Sequence, residues 1–260
     1  MAERIELWDD QPEGPGSTPF QLPPEFGGHA ALRNVVRPSL TSFAPAEPGA
    51  DTAVIVCPGG AMLMLSVGNE GTPVAEWFAG RGAHAYLLEY RTLPTESDQD
   101  LRDQAMAMLA DRAAAAEALA VQARLAGADA AAAVRWARQR HRHVVLIGFS
   151  AGSAAAVEAT IGDPGARPDA TVAMYLPTLP VPDATDAPPL FVGASIDDPL
   201  GISGSLALLD AWRGADRPVE LHLFEGGGHG YGAVPTGTTA DSWLGLATRW
   251  IEAHGLLDPG

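Results

Sequence analysis

Six short, almost wholly apolar runs are spaced along this chain with helix-length segments between them, and that alternation limits the folds open to it more than any other feature. The runs are "TAVIVC" (52–57), "AHAYLLEY" (83–90), "HVVLIG" (143–148), "ATVAMY" (170–175), "PLFVGA" (189–194) and "VELHLF" (219–224). Between them, helices are predicted near 72–80, 99–140, 151–161, 203–214 and 239–254. A strand without polar alternation is buried on both faces, and a parallel sheet covered by helices on each side provides that burial. The expected fold class is α/β, with a mostly parallel central sheet and helices on both faces. No fixed-period repeat and no internal linker divide the 260 residues, so one domain is expected.

The first fifty residues are rich in Pro and Gly, as in "QPEGPGSTPFQLPPEFGG", which suits an extended segment lying over a surface. Within them "NVVRPSLTSFAP" reads as an edge strand. The alanine-rich stretch 100–140 is strongly helix-forming, and Gly127 is expected to break it into two helices. Residues 97–127 then serve either as a covering layer or as a lid over a pocket.

A net charge of -16 argues against nucleic acid, because phosphate binding draws on clustered Lys and Arg. Cys57 is the only cysteine, which excludes an intramolecular disulfide and a thiolate metal cluster. The opening "MAERIELWDD" lacks the basic and apolar regions of a secretory signal, and no apolar run is long enough to span a membrane. A cytoplasmic protein with no membrane partner is the expectation.

One stretch carries chemistry. In "VVLIGFSAGSAAAVEA" (144–159) an apolar strand ends in Gly148-Phe149-Ser150-Ala151-Gly152 and a run of small residues at helical density follows. A nucleophilic serine needs its hydroxyl exposed on a rigid, sharply turned backbone, and a strand-to-helix turn with glycines two positions on either side provides one. Ser150 is the expected nucleophile. It requires a general base, and the base requires a carboxylate to hold its tautomer. Of the seven histidines, His141 and His143 read as solvated surface, His222 lies inside a strand, and His29, His84 and His254 have no loop that aims them at Ser150. His229, in "FEGGGHGYG" just after a strand, sits on a glycine-rich loop at the sheet edge where α/β folds bind ligands. The loop "SIDDPLG" after the strand 189–194 offers Asp197 and Asp198, of which one can face the histidine. The order Ser, Asp, His is that of an α/β-hydrolase. For the oxyanion, "CPGGAM" after the first central strand supplies the backbone amides of Gly60 or Ala61, with that of Ala151 beside the nucleophile.

These motifs resemble the acetyl esterase and acetylxylan esterase-like group of α/β-hydrolases. The likeness runs through "VIVCPGGAMLMLSVGNEGTPVAEWFAGRGAHAYLLEYRTLP", with a PGGG-type loop, an EG pair and a YR-x-x-P turn, to "GFSAG" and "VELHLFEGGGHGYG". The resemblance implies an acid in a D-x-x-V pattern, which selects Asp197 with Leu200 in the valine position; a DPL variant of the pattern would select Asp198. Ala61 replaces the third glycine of the oxyanion loop, and Met62 replaces the aromatic residue that often follows, so Met62 becomes an expected pocket residue, with Met64 and Tyr175 as further candidates. The implied function is a serine carboxylesterase for small acyl esters, acetyl groups on a sugar among them, needing no metal or organic cofactor. A peptidase or acyltransferase would use the same triad, and a non-catalytic binding protein is the reading from another class. Glu70, in "NEGTP", reads as a partner for a substrate hydroxyl or, equally well, as part of helix capping near Thr72 and Pro73, and stays outside the expected site.

Overall fold

The computed structural model describes residues 3–8, 16–47, 49, 51–180 and 183–258. Its strands are, in chain order, β1 (Arg4–Glu6), β2 (Thr18–Gln21), β3 (Ala30–Arg33), β4 (Ser39–Phe43), β5 (Thr52–Cys57), β6 (Met64–Leu65), β7 (His84–Glu89), β8 (His143–Phe149), β9 (Ala170–Met174), β10 (Leu190–Ser195) and β11 (Val219–Phe224). Eight of them form one sheet in the order β1-β4-β7-β5-β8-β9-β10-β11. Pairing is parallel from β7 to β11 and antiparallel at β1/β4 and β4/β7. The six apolar runs are the six strands of the parallel part.

Helices cover both faces. On one lie α3 (Arg112–Arg138), α4 (Ala151–Gly162) and α5 (Ile202–Gly214), and on the other α1 (Thr72–Ala79) and α6 (Trp243–Ala253). The two-residue period of β5 shows why the runs are continuous: Ala53, Ile55 and Cys57 pack under α3 and α4, whereas Val54 and Val56 pack under α1 and α6. Each such Val or Ile, fully buried, contributes about 1.5–3 kcal/mol.

The N-terminal segment departs from expectation. It does not simply lie over the surface: β2, β3 and β6 form a separate three-stranded antiparallel sheet. The expected edge strand, β4, is internal, because Arg4–Glu6 pairs along its outer side. Residues 11–15, part of the Pro- and Gly-rich stretch, lie outside the described residues.

The alanine-rich stretch does form two helices, but the break falls elsewhere. α2 (Asp98–Ala110) ends at Asp111, whose side chain accepts a hydrogen bond from the Ala114 amide at 3.0 Å and so caps the start of α3. Gly127 continues the helix. A Cβ there would lie 2.6 Å from the Cβ of Glu158 on α4, so glycine is required for the close approach of two helices and not for a turn. Gly127→Leu is therefore expected to lower the unfolding free energy by about 1–3 kcal/mol through overpacking, read from the urea midpoint. An unchanged midpoint would mean that α3 and α4 separate at no cost.

Candidate active site

Parallel strands deliver their C-terminal ends, and the loops after them, to one edge of the sheet. The loops after β5, β8, β10 and β11 meet there. Ser150 is the hinge between β8 and α4, with φ 48° and ψ -118°, a conformation L-residues rarely adopt. The strained turn is pinned on each side: the Ser150 amide donates to the Met174 carbonyl at 3.0 Å, and the Ser153 hydroxyl bonds the carbonyls of Gly148 and Met174, each at 2.7 Å. A Cβ on Gly148 would run into the Gly152 carbonyl, and one on Gly152 into those of Cys57 and Pro58.

His229 arrives from the loop after β11. Its Nε2 lies 2.7 Å from Ser150 Oγ, and its Nδ1 lies 2.9 Å from Oδ2 of Asp198. The acid at the histidine is thus Asp198, a correction to the expected Asp197. The Asp198 amide turns back to the Ser195 carbonyl, and its carboxylate points inward, fully buried. Burial works against its ionised form, yet the hydrogen bond and charge of His229 and the amides of Leu200 and Gly201 outweigh it. The Asp198 carboxyl is held below its ordinary range. Asp197 points the other way and has a different task. Its oxygens accept from the amides of Gly227 and Gly228, at 3.4 and 2.9 Å, and tie down the loop that carries His229.

The loop after β5 crosses in front of the serine. Gly60, Ala61 and Met62 all have positive φ, of 134°, 55° and 60°. Gly60, Ala61 and Ala151 line the same cavity as Ser150, and among the described residues no turn or loop hydrogen bond uses the amide of Gly60 or Ala61. Behind the loop lies Glu70, outside the site expected from sequence. Glu70, fully buried on a π-helical turn (Val67–Gly71), accepts from the Gly59 amide at 2.7 Å and from the Tyr175 hydroxyl at 2.7 Å. Burial pushes its carboxyl above the ordinary range, opposed by those two hydrogen bonds and by His229. Tyr175 in turn accepts from the Gly232 amide at 3.1 Å, and its ring lies edge-on to the His229 imidazole at 5.2 Å. Glu70 and Tyr175 thus join the loop after β5 to the loop that carries His229. The hint in the sequence was an acidic residue in an otherwise small and apolar segment, which local capping explained too readily.

A cavity of about 720 Å³ opens over Ser150 and His229. Met62 and Met64 are among its lining residues, although the Met62 side chain is fully buried, as is Tyr175, which packs against the histidine. Residues 97–127 contribute a wall through α2 and the start of α3, and the N-terminal segment contributes another through Leu22, Phe26 and His29. His29, dismissed from sequence, faces the cavity with its Nε2 2.8 Å from the Ser66 hydroxyl. His141, expected in solvent, is held between the Tyr86 hydroxyl and Asp51, far from the serine loop at the opposite ends of the strands. Among the described residues, no group of three or more His, Cys, Asp or Glu side chains is placed to hold a metal ion, and no helix is long and apolar enough to cross a membrane.

A nucleophile, base and acid in hydrogen-bonded series, in a cavity that Gly60, Ala61 and Ala151 also line, can transfer an acyl group. Comparison with solved structures gives the same fold. The chain is similar to an acetyl ester-xyloside bifunctional hydrolase from Caldicellulosiruptor lactoaceticus (21% identity, 98% of this chain and 97% of that chain covered, TM-score 0.66). It is also similar to esterase 2 of Thermogutta terrifontis (20%, 96% and 98%, 0.63) and to a carboxylesterase from Lactobacillus plantarum (19%, 94% and 99%, 0.62). No curated protein sequence gives a significant match. The sequence profile of one family does match, over residues 57–241, a span that begins at the end of β5 and takes in Ser150, Asp198 and His229. The chain belongs to the dienelactone hydrolase family.

Proposed function

We propose that this protein is a serine carboxylesterase that works through an acyl-enzyme. The observation that carries the reading is the continuous series Ser150 Oγ, His229, Asp198, with contacts of 2.7 and 2.9 Å, in a cavity that Gly60, Ala61 and Ala151 also line. His229 Nε2 takes the proton of Ser150 as Oγ attacks the ester carbonyl. The backbone amides of those three residues receive the negative charge of the tetrahedral oxygen, each donor contributing about 3 kcal/mol to the barrier reduction. His229 returns the proton to the leaving alcohol, and water then releases the acid by the reverse sequence. Asp198, ionised and buried, keeps Nδ1 protonated and stabilises the imidazolium.

A second substrate reading, an acetyl ester on a carbohydrate, rests on the sequence resemblance to acetyl esterases and on the structural likeness to an acetyl ester-xyloside hydrolase, and competes with any reading in which the cavity takes a long apolar chain. Matched p-nitrophenyl ester and anilide substrates, assayed with Ser150→Ala as blank, test the bond type: the ester is expected to turn over faster. Preferential anilide cleavage would move the assignment to a peptidase. Acetate release from acetylated xylan tests the sugar.

A further inference from the structure

The wall built by α2 has a use beyond covering the sheet. Along that helix Leu101, Ala105, Met108 and Leu109 recur at the helical i, i+4, i+7, i+8 spacing and all line the cavity above Ser150. The stripe is roughly 12 Å long at 1.5 Å per residue. Only Leu101 of the whole helix is buried. Beyond Leu101 the apolar face of α2 is only partly covered, and it shares the cavity with Leu22 and Phe26 of the N-terminal segment. The cavity mouth is apolar too, since Phe26, Leu109 and Val234 line it while remaining 54, 47 and 50% exposed. Exposed apolar residues scattered singly mean little, but three around one opening mark a binding site.

A volume near 720 Å³ is of the size that encloses a drug-sized ligand and far exceeds what an acetyl group fills. Of the polar side chains that line it, Asn69 and Glu70 have their hydrogen bonds taken by Gly230 and the Ala233 and Val234 amides, and by Gly59 and Tyr175, while Ser66 and His29 pair with each other. They are poorly placed to read sugar hydroxyls as well. Arg112, the cation on this wall, donates to the Pro199 carbonyl at 3.1 Å, tying the start of α3 to the loop that carries Asp198.

We propose that the α2 stripe is the subsite for an unbranched apolar chain of about octyl length, so that the preferred substrate is a medium-chain aliphatic ester. The inference rests on the carboxylesterase reading for the bond that is cleaved, and on the cavity alone for the chain. The chain belongs to either the acyl or the alcohol side, and p-nitrophenyl octanoate and octyl acetate distinguish the two.

The test is a p-nitrophenyl series from acetate to octanoate, kept below micelle-forming concentrations, with octyl acetate beside it. Either kcat/KM of p-nitrophenyl octanoate is expected to exceed that of p-nitrophenyl acetate, or that of octyl acetate to exceed that of ethyl acetate, at least tenfold, chiefly through KM, a change that burial of about two methylenes already provides. Met108→Trp, which fills the groove, and Leu109→Glu, which makes its rim polar, should each lower the long-to-short ratio at least fivefold. A flat or acetate-favouring profile, or a ratio that both variants leave intact, overturns the proposal. Ethyl and octyl fluorophosphonates give a readout independent of ester turnover: Ser150 Oγ bonds phosphorus, fluoride leaves and the hydroxyl proton passes to His229. Faster labelling by the octyl probe with no ester hydrolysed would sink the esterase and keep the apolar subsite; equal labelling alongside active acetate hydrolysis would do the reverse.

Discussion

Ser150→Ala is expected to lower kcat for ester hydrolysis by about 10⁶-fold, and Asp198→Asn by about 10⁴-fold, whereas Asp197→Asn changes it by no more than about twofold. The contrast follows from where two adjacent carboxylates point. Asp198 accepts from His229 Nδ1, so an amide there presents an N–H to the imidazole or forces the wrong tautomer, and Nε2 can no longer take the serine proton. Among the described residues Asp197 accepts only the Gly227 and Gly228 amides, and the Oδ1 of an asparagine still accepts one of them. Equal losses in the two variants would remove Asp198 from the triad. The two should also differ in acid stability. Because the folded-state value of Asp198 is depressed, its contribution is present above the unfolded carboxylate value of about 4 and lost as the pH falls through the lower folded value. Asp198→Asn should lose less stability than wild type across that acid window.

The legible parts of this chain were those governed by local pattern. Continuous apolar runs gave the strands of the parallel sheet, and the glycine-flanked Ser150 and the glycine-rich loop at His229 identified themselves, because strand ends and sharp turns have strong residue requirements. What was not legible depends on orientation or on long-range pairing. Asp197 and Asp198 are equivalent in sequence, and only the turn from Ser195 to Asp198 decides which faces inward. The position of β4 inside the sheet depends on a three-residue strand that has no pattern of its own. Gly127 read as a helix breaker because propensity is local, while its reason for being glycine is Glu158 on another helix. The same limit hid Glu70, whose partners Gly59 and Tyr175 are 11 and 105 residues away.

Glu70→Ala is expected to lower kcat by about 10²-fold to 10³-fold, the loss seen when an oxyanion donor is misplaced, and to lower stability by about 1–3 kcal/mol for each of two buried donors left without an acceptor, the Gly59 amide and the Tyr175 hydroxyl. Gly59 immediately precedes the strained residues Gly60, Ala61 and Met62, so losing its anchor releases the loop whose amides must face the developing oxyanion. Glu70→Gln should fall between wild type and alanine. One amide oxygen can serve one of the two donors, but the NH₂ group then meets the other. Its pH response has a definite sign. Burial raises the folded-state value of Glu70, so the stability this imposes is full below the ordinary carboxylate value and is lost as the pH rises through the raised one. Unfolding midpoints of wild type should therefore drop relative to those of Glu70→Gln as the pH rises through that range, while kcat stays higher in wild type. A glutamate kept for stability alone would show no such difference in kcat, with Glu70→Gln as active as wild type. The positive-φ backbone beside Ser150 makes that outcome hard to reach, since nothing else among the described residues accepts the Gly59 amide.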